Sequence, residues 1–277
     1  DKFNAACRAS VLKYTGEWES TVTRQARWVD FENDYKTMDV SYMESVMWAF
    51  KQLHDKGLLY EAYRVMPYSW GAETPLSNFE IRLDDSTRPR QDPAVSVGFD
   101  LAPVAGDPGP LRILAWTTTP WTLPSNLALA VGPDIEYSIV AVTNDDSGDG
   151  AERLYVLGSA SLAKYAPQIG ETPDVRGTLV GADLVGRTYE PLLPYFADRT
   201  DAFRVLGADF VDTADGTGVV HMAPGFGEDD QTVCEAQGIP IGRVVPVDDQ
   251  GRFTNDVPEW AGQNVFEANP DIIRHLK

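Results

Sequence analysis

Leu111-Arg-Ile-Leu-Ala-Trp-Thr-Thr-Thr-Pro-Trp-Thr-Leu-Pro-Ser-Asn126 is the stretch from which the rest of the chain is read. Leu111 to Trp116 is apolar enough for a buried strand. Thr119 precedes a proline, and the clash with the pyrrolidine ring pushes it toward extended geometry and away from helix. The chain is therefore expected to leave a strand, stay extended through three threonines, and turn at Pro120 and Pro124. That layout gathers hydroxyls and backbone N–H groups at a strand end, where a site can form on a rigid scaffold. Thr-Thr-Thr on its own reads as an ordinary strand end, since threonine suits strands.

Working outward, Val95, Val97, Phe99 and Leu101 alternate with Ser96, Gly98 and Asp100, the period of a half-buried strand. Further strands are expected at 127–131, 135–143 and 153–157, and near 176–181, 203–212, 217–222 and 242–247. The polar string Asn144 to Gly150 joins two of them as a hairpin tip, and Val247 to Phe253 makes another. Ser159 to Tyr165 is a short helix. Many short strands with frequent turns suggest a barrel or curled sheet with a few helices. Upstream, Asp84 to Pro93 is a linker, Leu58 to Ile81 is strand and loop, and residues 1–36 are helix and irregular connection. Asp39 to Lys56 is the clearest helix. Ser41 and Glu44 suggest a capping box, and Gly57 a stop. Met43, Val46, Met47, Phe50 and Leu53 make one apolar face, expected to point into a core. The fold class is α+β (mixed): a β-barrel-rich body with peripheral helices, preceded by a mainly helical flanking segment.

Composition narrows the function classes. At 277 residues the chain is one large domain or two smaller ones. No apolar run approaches the roughly 20 residues of a membrane helix, and the polar start lacks a signal peptide's apolar core. Asp1 opens the chain in mid-pattern without methionine, as expected of a piece of a longer protein. Cys7 and Cys234 form no CxxC pair, and His54, His221 and His275 lack zinc spacing, so neither disulfide nor metal is indicated. A reducing, cytoplasmic setting follows. A net charge of −19 argues against extensive phosphate contacts by this chain alone.

A second segment carries chemistry: Gly216-Thr-Gly-Val-Val-His-Met-Ala-Pro-Gly-Phe-Gly-Glu-Asp-Asp230. Its strand, Val219 to Met222, runs through a Pro/Gly loop into a helix expected at Glu228 to Gln237, ended by Gly238. Asp229 and Asp230 fall near the first turn, where carboxylates favour the helix dipole. His221 stands where a dinucleotide fingerprint would need its third glycine, which removes that reading.

Together the two segments resemble the threonine-rich peptide and the second editing peptide of isoleucyl-tRNA synthetase. Thr-Pro-Trp-Thr-Leu-Pro favours the isoleucyl branch over the valyl and leucyl ones. The resemblance covers about Phe3 to Asp230 and identifies the chain as a fragment from the editing (connective peptide 1) domain. It implies residues 1–83 as a helical connecting flank, 84–265 as the editing domain and 266–277 as a return segment. It implies that Asp230 holds the α-ammonium of a misattached amino acid, that His221 shapes the side-chain pocket, and that Thr117, Thr118 and Thr119 surround the ester and terminal adenosine. Asn126 matches a further site position, and Trp116 and Trp121 join it as substrate contacts. Many bacterial members carry zinc cysteines near position 70. Ser69, Trp70 and Ala72 stand there instead, so no metal or cofactor is expected.

The expected reaction is hydrolysis of valyl-tRNA(Ile), proofreading for the isoleucine enzyme, which a methylene alone discriminates poorly. Water suffices as nucleophile if positioned. No Ser or Cys nucleophile with a base partner is evident, and Gly-x-Ser-x-Gly is absent. A carboxylate suits the amine, and backbone N–H groups and threonine hydroxyls suit the oxyanion. A ribose hydroxyl of the substrate could take the proton. His-Ile-Gly-His and Lys-Met-Ser-Lys-Ser are absent, so amino-acid activation is not expected. The expected partners are the tRNA(Ile) 3′ acceptor end carrying valine and the remainder of the parent synthetase, with no membrane and a monomeric fragment. Two alternatives stand beside this reading: a non-catalytic module docking tRNA or protein, and a valyl-type domain acting on threonyl-tRNA, which Thr-Pro-Trp-Thr-Leu-Pro disfavours.

Overall fold

In the computed structural model, which describes residues 1–143, 150–242 and 244–277, the chain divides into two compact units, Asp1–Ala62 and Tyr63–Lys277. The first holds α1 (Lys2–Val11), α2 (Thr15–Arg24) and α3 (Val40–Asp55). α3 ends as the sequence indicates: Gly57 takes a φ of 69°, left-handed backbone that glycine adopts without a Cβ clash. Its start corrects the expectation. Asp39 is the N-cap and no side chain caps the helix, so the Ser41/Glu44 capping box does not form. Ser41 already lies inside the first turn, its carbonyl accepting from the Ser45 hydroxyl. The core-facing row is corrected too. Met43, Val46, Met47, Phe50 and Leu53 are all exposed, and none of the three helices has a buried residue. Helical spacing shows which face would gain from burial, but burial needs a second layer, which these three helices do not supply.

The second unit begins with a two-residue antiparallel pair, β1 (Tyr68–Ser69) and β2 (Thr74–Pro75). Among the described residues one sheet of eight strands follows: β3 (Val95–Asp100), β4 (Leu111–Thr117), β5 (Ala128–Val131), β6 (Glu136–Val142), β7 (Arg153–Gly158), β8 (Asp174–Val180), β9 (Arg204–Gly207) and β10 (Val219–Met222). Between and after the strands come α4 (Ala166–Ile169), α5 (Gly181–Leu184), α6 (Glu228–Ala236) and α7 (Val265–His275).

β4 is the hub, and its alternation explains why. Leu111, Ile113, Ala115 and Thr117 are buried while Arg112, Leu114 and Trp116 are half-buried, the period-two pattern of a strand with one face to a core. One edge pairs antiparallel with β3, from Val95 opposite Thr117 to Asp100 opposite Arg112. The other edge forks. Leu111 to Ile113 pair in parallel with β7, and Trp116 pairs in parallel with Val220 of β10. From β7 an antiparallel wing runs through β6 to β8. From β10 the sheet runs through β5 to β9.

That second arm returns to its start. Residues 186–190 lie between β9 and β3, bridging Thr188 to Arg204 and Tyr189 to Leu101. Ala102 N–H donates to the Thr188 carbonyl at 2.8 Å, and Glu190 N–H to the Asp100 carbonyl at 2.9 Å. Strands β3, β4, β10, β5 and β9 and this segment thus curl into a ring, which closes on the Asp100–Ala102 end of β3. The barrel or curled sheet expected from the turn-rich pattern is present as a strongly curled sheet. Arg187 of the closing segment is held by Asp107 at 2.7 Å in a nearly buried ion pair. Phe99, Ile113, Leu129, Val205, Met222 and Tyr189 share the enclosed core.

Two other expectations change. The strand near 203–212 shortens to β9, and 242–247 gives no strand among the described residues, Arg243 lying outside them. The polar tip at Asn144 to Gly150 falls outside them except for Gly150. The Val247–Phe253 hairpin forms, with a turn bond from Gly251 N–H to the Asp248 carbonyl at 3.0 Å. Ser159–Tyr165 is helical in the tighter 3₁₀ form. α7 buries Val265, Ala268 and Ile272 on Phe253, Val257 and Trp260, and it contacts the 3₁₀ turn Pro120–Ser125. No helix among the described residues is long and apolar enough to cross a membrane.

Candidate functional site

Because β4 and β10 run parallel as neighbours, their C-terminal ends open side by side. The crevice outside the carboxyl ends of parallel strands is a place where loops and helix N-termini converge. Thr117, Thr118 and Thr119 leave β4 into the 3₁₀ turn Pro120–Ser125, and Ala223 to Gly227 lead from β10 into α6. Between these two exits lies a cavity of about 310 Å³. Of the expected residues, Trp116, Thr117, Thr118, Thr119, His221 and Asp230 line it. A larger hollow of about 750 Å³, around Trp70, Arg90, Arg252 and Phe266, contains none of them. Chemistry rather than size marks the candidate site.

On the β4 side the polar groups bond to one another. Thr119 N–H donates to Thr117 Oγ1 at 3.0 Å, and the two hydroxyl oxygens are 3.2 Å apart. Thr122 Oγ1 lies 2.8 Å from the Thr119 carbonyl, 3.3 Å from Thr119 Oγ1 and 2.7 Å from His221 Nε2. His221 Nδ1 faces Asn126 Nδ2 at 3.2 Å. The ring is buried, and burial alone drives its pKa down to about 4, so His221 is neutral. Thr118 is exposed and has no side-chain partner among the described residues. Trp116 packs on Gly216, which takes a φ of 65°; a Cβ there would meet the Trp116 side chain at 2.9 Å. Glycine at that position serves both the backbone and the close approach.

On the α6 side stands Asp230. Its Oδ2 accepts the Ala223 N–H at 2.8 Å, tying the first turn of α6 back to the end of β10. It has no cationic partner among the described residues. Burial pushes its carboxyl above the usual carboxylate range, against the lowering effect of the Ala223 bond and with help from Asp229. Gly227 makes room for it: a Cβ there would lie 2.8 Å from Asp230 Cγ. Glu228 and Asp229, by contrast, are exposed carboxylates at a helix start, where the dipole favours them.

Two expected contacts are placed elsewhere. Asn126 is buried behind the cavity wall, with Nδ2 donating to the Ala128 carbonyl at 2.9 Å and Oδ1 accepting from the Tyr189 hydroxyl at 2.6 Å. Trp121 sits in the seam with α7, its ring edge-on to Phe226 at 4.8 Å and its backbone N–H on Asn269 Oδ1 at 2.9 Å. Neither lines the cavity. Sequence reading missed Thr122, Phe226 and Tyr189. Thr122 and Phe226 were inside the quoted motifs and could have been singled out. Tyr189 carries no local signal and is brought in only by the closing of the ring.

Comparison with known proteins places the chain. The family model for class I tRNA synthetases (I, L, M and V) matches residues 1–254. The isoleucine–tRNA ligase of Mycobacterium tuberculosis (strain CDC 1551 / Oshkosh) is 59% identical over 280 aligned residues, covering 99% of this chain and 26% of that protein. The isoleucine–tRNA ligase of Rickettsia canadensis (strain McKiel) is 55% identical over 100% of this chain and 25% of that protein. The chain thus spans about a quarter of the length of the curated relatives it matches. Among solved structures, GlLeuRS-CP1 aligns with a TM-score of 0.47 and 16% identity over 66% of this chain and 95% of that one. The resemblance carried by the two peptides is borne out.

Proposed function

From the premise that the chain belongs to the class I tRNA synthetases (I, L, M and V), we propose that it is an editing hydrolase that removes valine from valyl-tRNA(Ile). One observation carries the reading: a carboxylate without a cationic partner among the described residues, Asp230, set into a small cavity across from a wall of threonine hydroxyls. The raised affinity of Asp230 for its proton marks a charge that lacks compensation, and an α-ammonium supplies it. Held there by its amine, the aminoacyl ester meets the threonines.

Hydrolysis then follows. A water oxygen adds to the ester carbonyl carbon, the C–O bond to the ribose breaks, and the ribose oxygen leaves with a proton. The neighbouring ribose hydroxyl takes the water's proton and gives its own to the departing ribose oxygen. The free hydroxyl of Thr118 and backbone N–H groups at the strand end stabilise the oxyanion. His221 is neutral and hydrogen-bonded, so it shapes the pocket and does not carry charge through the reaction. Neither metal nor cofactor enters a step. On this reading 84–265 is the editing domain, 1–83 a connecting flank and 266–277 a return segment. The partners are the acceptor end of tRNA(Ile) and the rest of the synthetase, the fragment is a monomer, and the compartment is the cytoplasm.

The experiment is deacylation of valyl-tRNA(Ile) by the 277-residue chain, with isoleucyl-tRNA(Ile) as the spared control. Loss of valine at a rate dependent on Asp230 is the expected result; a folded chain that leaves valyl-tRNA intact overturns it. The uncovered apolar row of α3 favours a second reading, a docking module without catalysis, and an intact valyl-tRNA would select it.

A further inference from the structure

Tyr189 belongs to neither sequence motif, yet its hydroxyl begins a chain of hydrogen bonds that ends at the cavity. The phenol is buried, flanked edge-on by Phe99 at 5.2 Å and Phe203 at 6.1 Å. It donates to Asn126 Oδ1 at 2.6 Å. The Asn126 amide is held from both ends, its oxygen by the Tyr189 hydroxyl and its nitrogen by the Ala128 carbonyl. Nδ2 lies 2.9 Å from the Ala128 carbonyl, which can only accept. The same Nδ2 faces His221 Nδ1 at 3.2 Å, so Nδ1 must be the bare ring nitrogen and the hydrogen sits on Nε2.

The direction then propagates. His221 Nε2–H donates to Thr122 Oγ1 at 2.7 Å, and Thr122 gives its own hydrogen to the Thr119 carbonyl at 2.8 Å. With that hydrogen placed, the 3.3 Å contact between Thr119 and Thr122 has Thr119 as donor. The 3.2 Å contact between Thr117 and Thr119 then has Thr117 as donor. No hydroxyl is left free to reverse.

We infer that the Tyr189–Asn126–His221–Thr122 relay is a positioning device that locks His221 in one neutral tautomer and holds the Thr119 oxygen toward the cavity as an acceptor for the attacking water. The inference rests on the deacylase reading. Tyr189 and Asn126 are positioning residues, touching no substrate. The opposite tautomer would set an Nδ1–H against the Asn126 amide hydrogens and draw the Thr122 hydrogen away from the Thr119 carbonyl. That would leave the hydroxyl of Thr119 free to rotate. A misdirected water at the reacting carbon lowers the rate by roughly tenfold to a hundredfold.

The tautomer is read directly from two-bond ¹H–¹⁵N correlations of the histidine-labelled chain, with His54→Gln and His275→Gln to assign the signals. The parent should show the Nε2–H form at His221. Asn126→Asp, which sets an acceptor oxygen against Nδ1, should convert His221 to a form protonated at Nδ1. Tyr189→Phe, which removes only the hydroxyl, should lose the single-tautomer pattern and lower kcat for valyl-tRNA roughly tenfold to a hundredfold, with KM within about twofold. An Nδ1–H tautomer in the parent overturns the relay. So does a Tyr189→Phe chain whose melting temperature falls while tautomer and rate stay put, since that is what a packing role alone would give. A lower rate with an unchanged tautomer overturns it as well. If the parent does not deacylate at all, the editing reading fails while the parent spectrum and Asn126→Asp still decide the relay.

Discussion

The two walls of the cavity are built on opposite principles. On the threonine wall each polar hydrogen from Tyr189 to Thr117 has an acceptor within the protein, and no group carries charge. On the α6 wall Asp230 carries a charge with one backbone donor and no cation among the described residues. A saturated network in a low-dielectric interior holds atoms in place and gains little from a ligand. An unsaturated charge is costly when the site is empty and gains a great deal when a cation arrives. On the proposed editing reading, the contrast separates the group that recognises from the groups that aim.

Asp230→Asn tests that contrast most severely. Removing one partner of a buried charge pair costs about 2–5 kcal/mol, so deacylation should fall by roughly a hundredfold or more. The Ala223 N–H keeps an amide oxygen as its acceptor, so the fold should not suffer. The carboxyl's pKa is raised, so the folded state binds its proton more tightly than the unfolded one and is destabilised above the ordinary carboxylate range. The asparagine chain should therefore melt at the same temperature or higher at pH 7. A folded variant with the parent rate would remove Asp230 from the site.

Acid breaks the opposite wall. His221 has its pKa lowered to about 4, below the ordinary 6.5, so the unfolded chain takes up the proton first as pH falls. The stability tied to neutral His221 is fully present above about 6.5 and is lost as the pH drops through the window toward 4. The loss is on the order of 3 kcal/mol, because each tenfold drop in proton affinity is worth about 1.4 kcal/mol. Denaturant titrations at pH 7 and pH 4.5 on parent and His221→Gln measure it; equal slopes with pH in both would assign the effect elsewhere.

Gly227→Ala should have a smaller effect. With a φ of −124° the backbone tolerates alanine, and the added Cβ instead presses on the Asp230 carboxylate at 2.8 Å. A cost of about 1–3 kcal/mol and a matching loss of rate are expected. An unchanged rate would mean that the carboxylate can move freely. The smallest effect on stability should be that of Thr118→Val, which touches no internal bond and should stay within about 0.5 kcal/mol, while the loss of an oxyanion donor should lower the rate by roughly a hundredfold. Thr122→Val, which strips three contacts, should cost about 1–3 kcal/mol. Equal melting temperatures for the two valine variants would dissolve the distinction between saturated and free hydroxyls.

How much of this could be read from the sequence depends on how local each cause is. β3 and β4 alternate within a few residues, and Gly57 and Gly238 end their helices through their own backbone angles, so all four were legible. The apolar row of α3 was legible as a row but not as exposed, because burial depends on what stands opposite. The motif residues around Thr117 and Asp230 meet because β4 and β10 are parallel neighbours, and the two peptides could be recognised without knowing that. Asn126 was named for the site but stands behind it, since only coordinates tell a wall from its support. Tyr189 was illegible: 63 residues separate it from Asn126, and nothing near it in sequence marks it.

The segment 186–190 that closes the ring also fixes an order of events in refolding. The β6–β7 hairpin joins near neighbours and can form early, whereas the ring closes only when residues 186–190 reach both β3 and β9. Pairings between distant residues are slow because loop entropy must be lost before any contact is gained. Tyr189 lies on that closing segment, so the hydroxyl wall acquires its direction in the same event that shuts the ring. Recovery of activity after dilution from denaturant should then lag behind the return of hairpin structure and keep time with the slowest phase of folding.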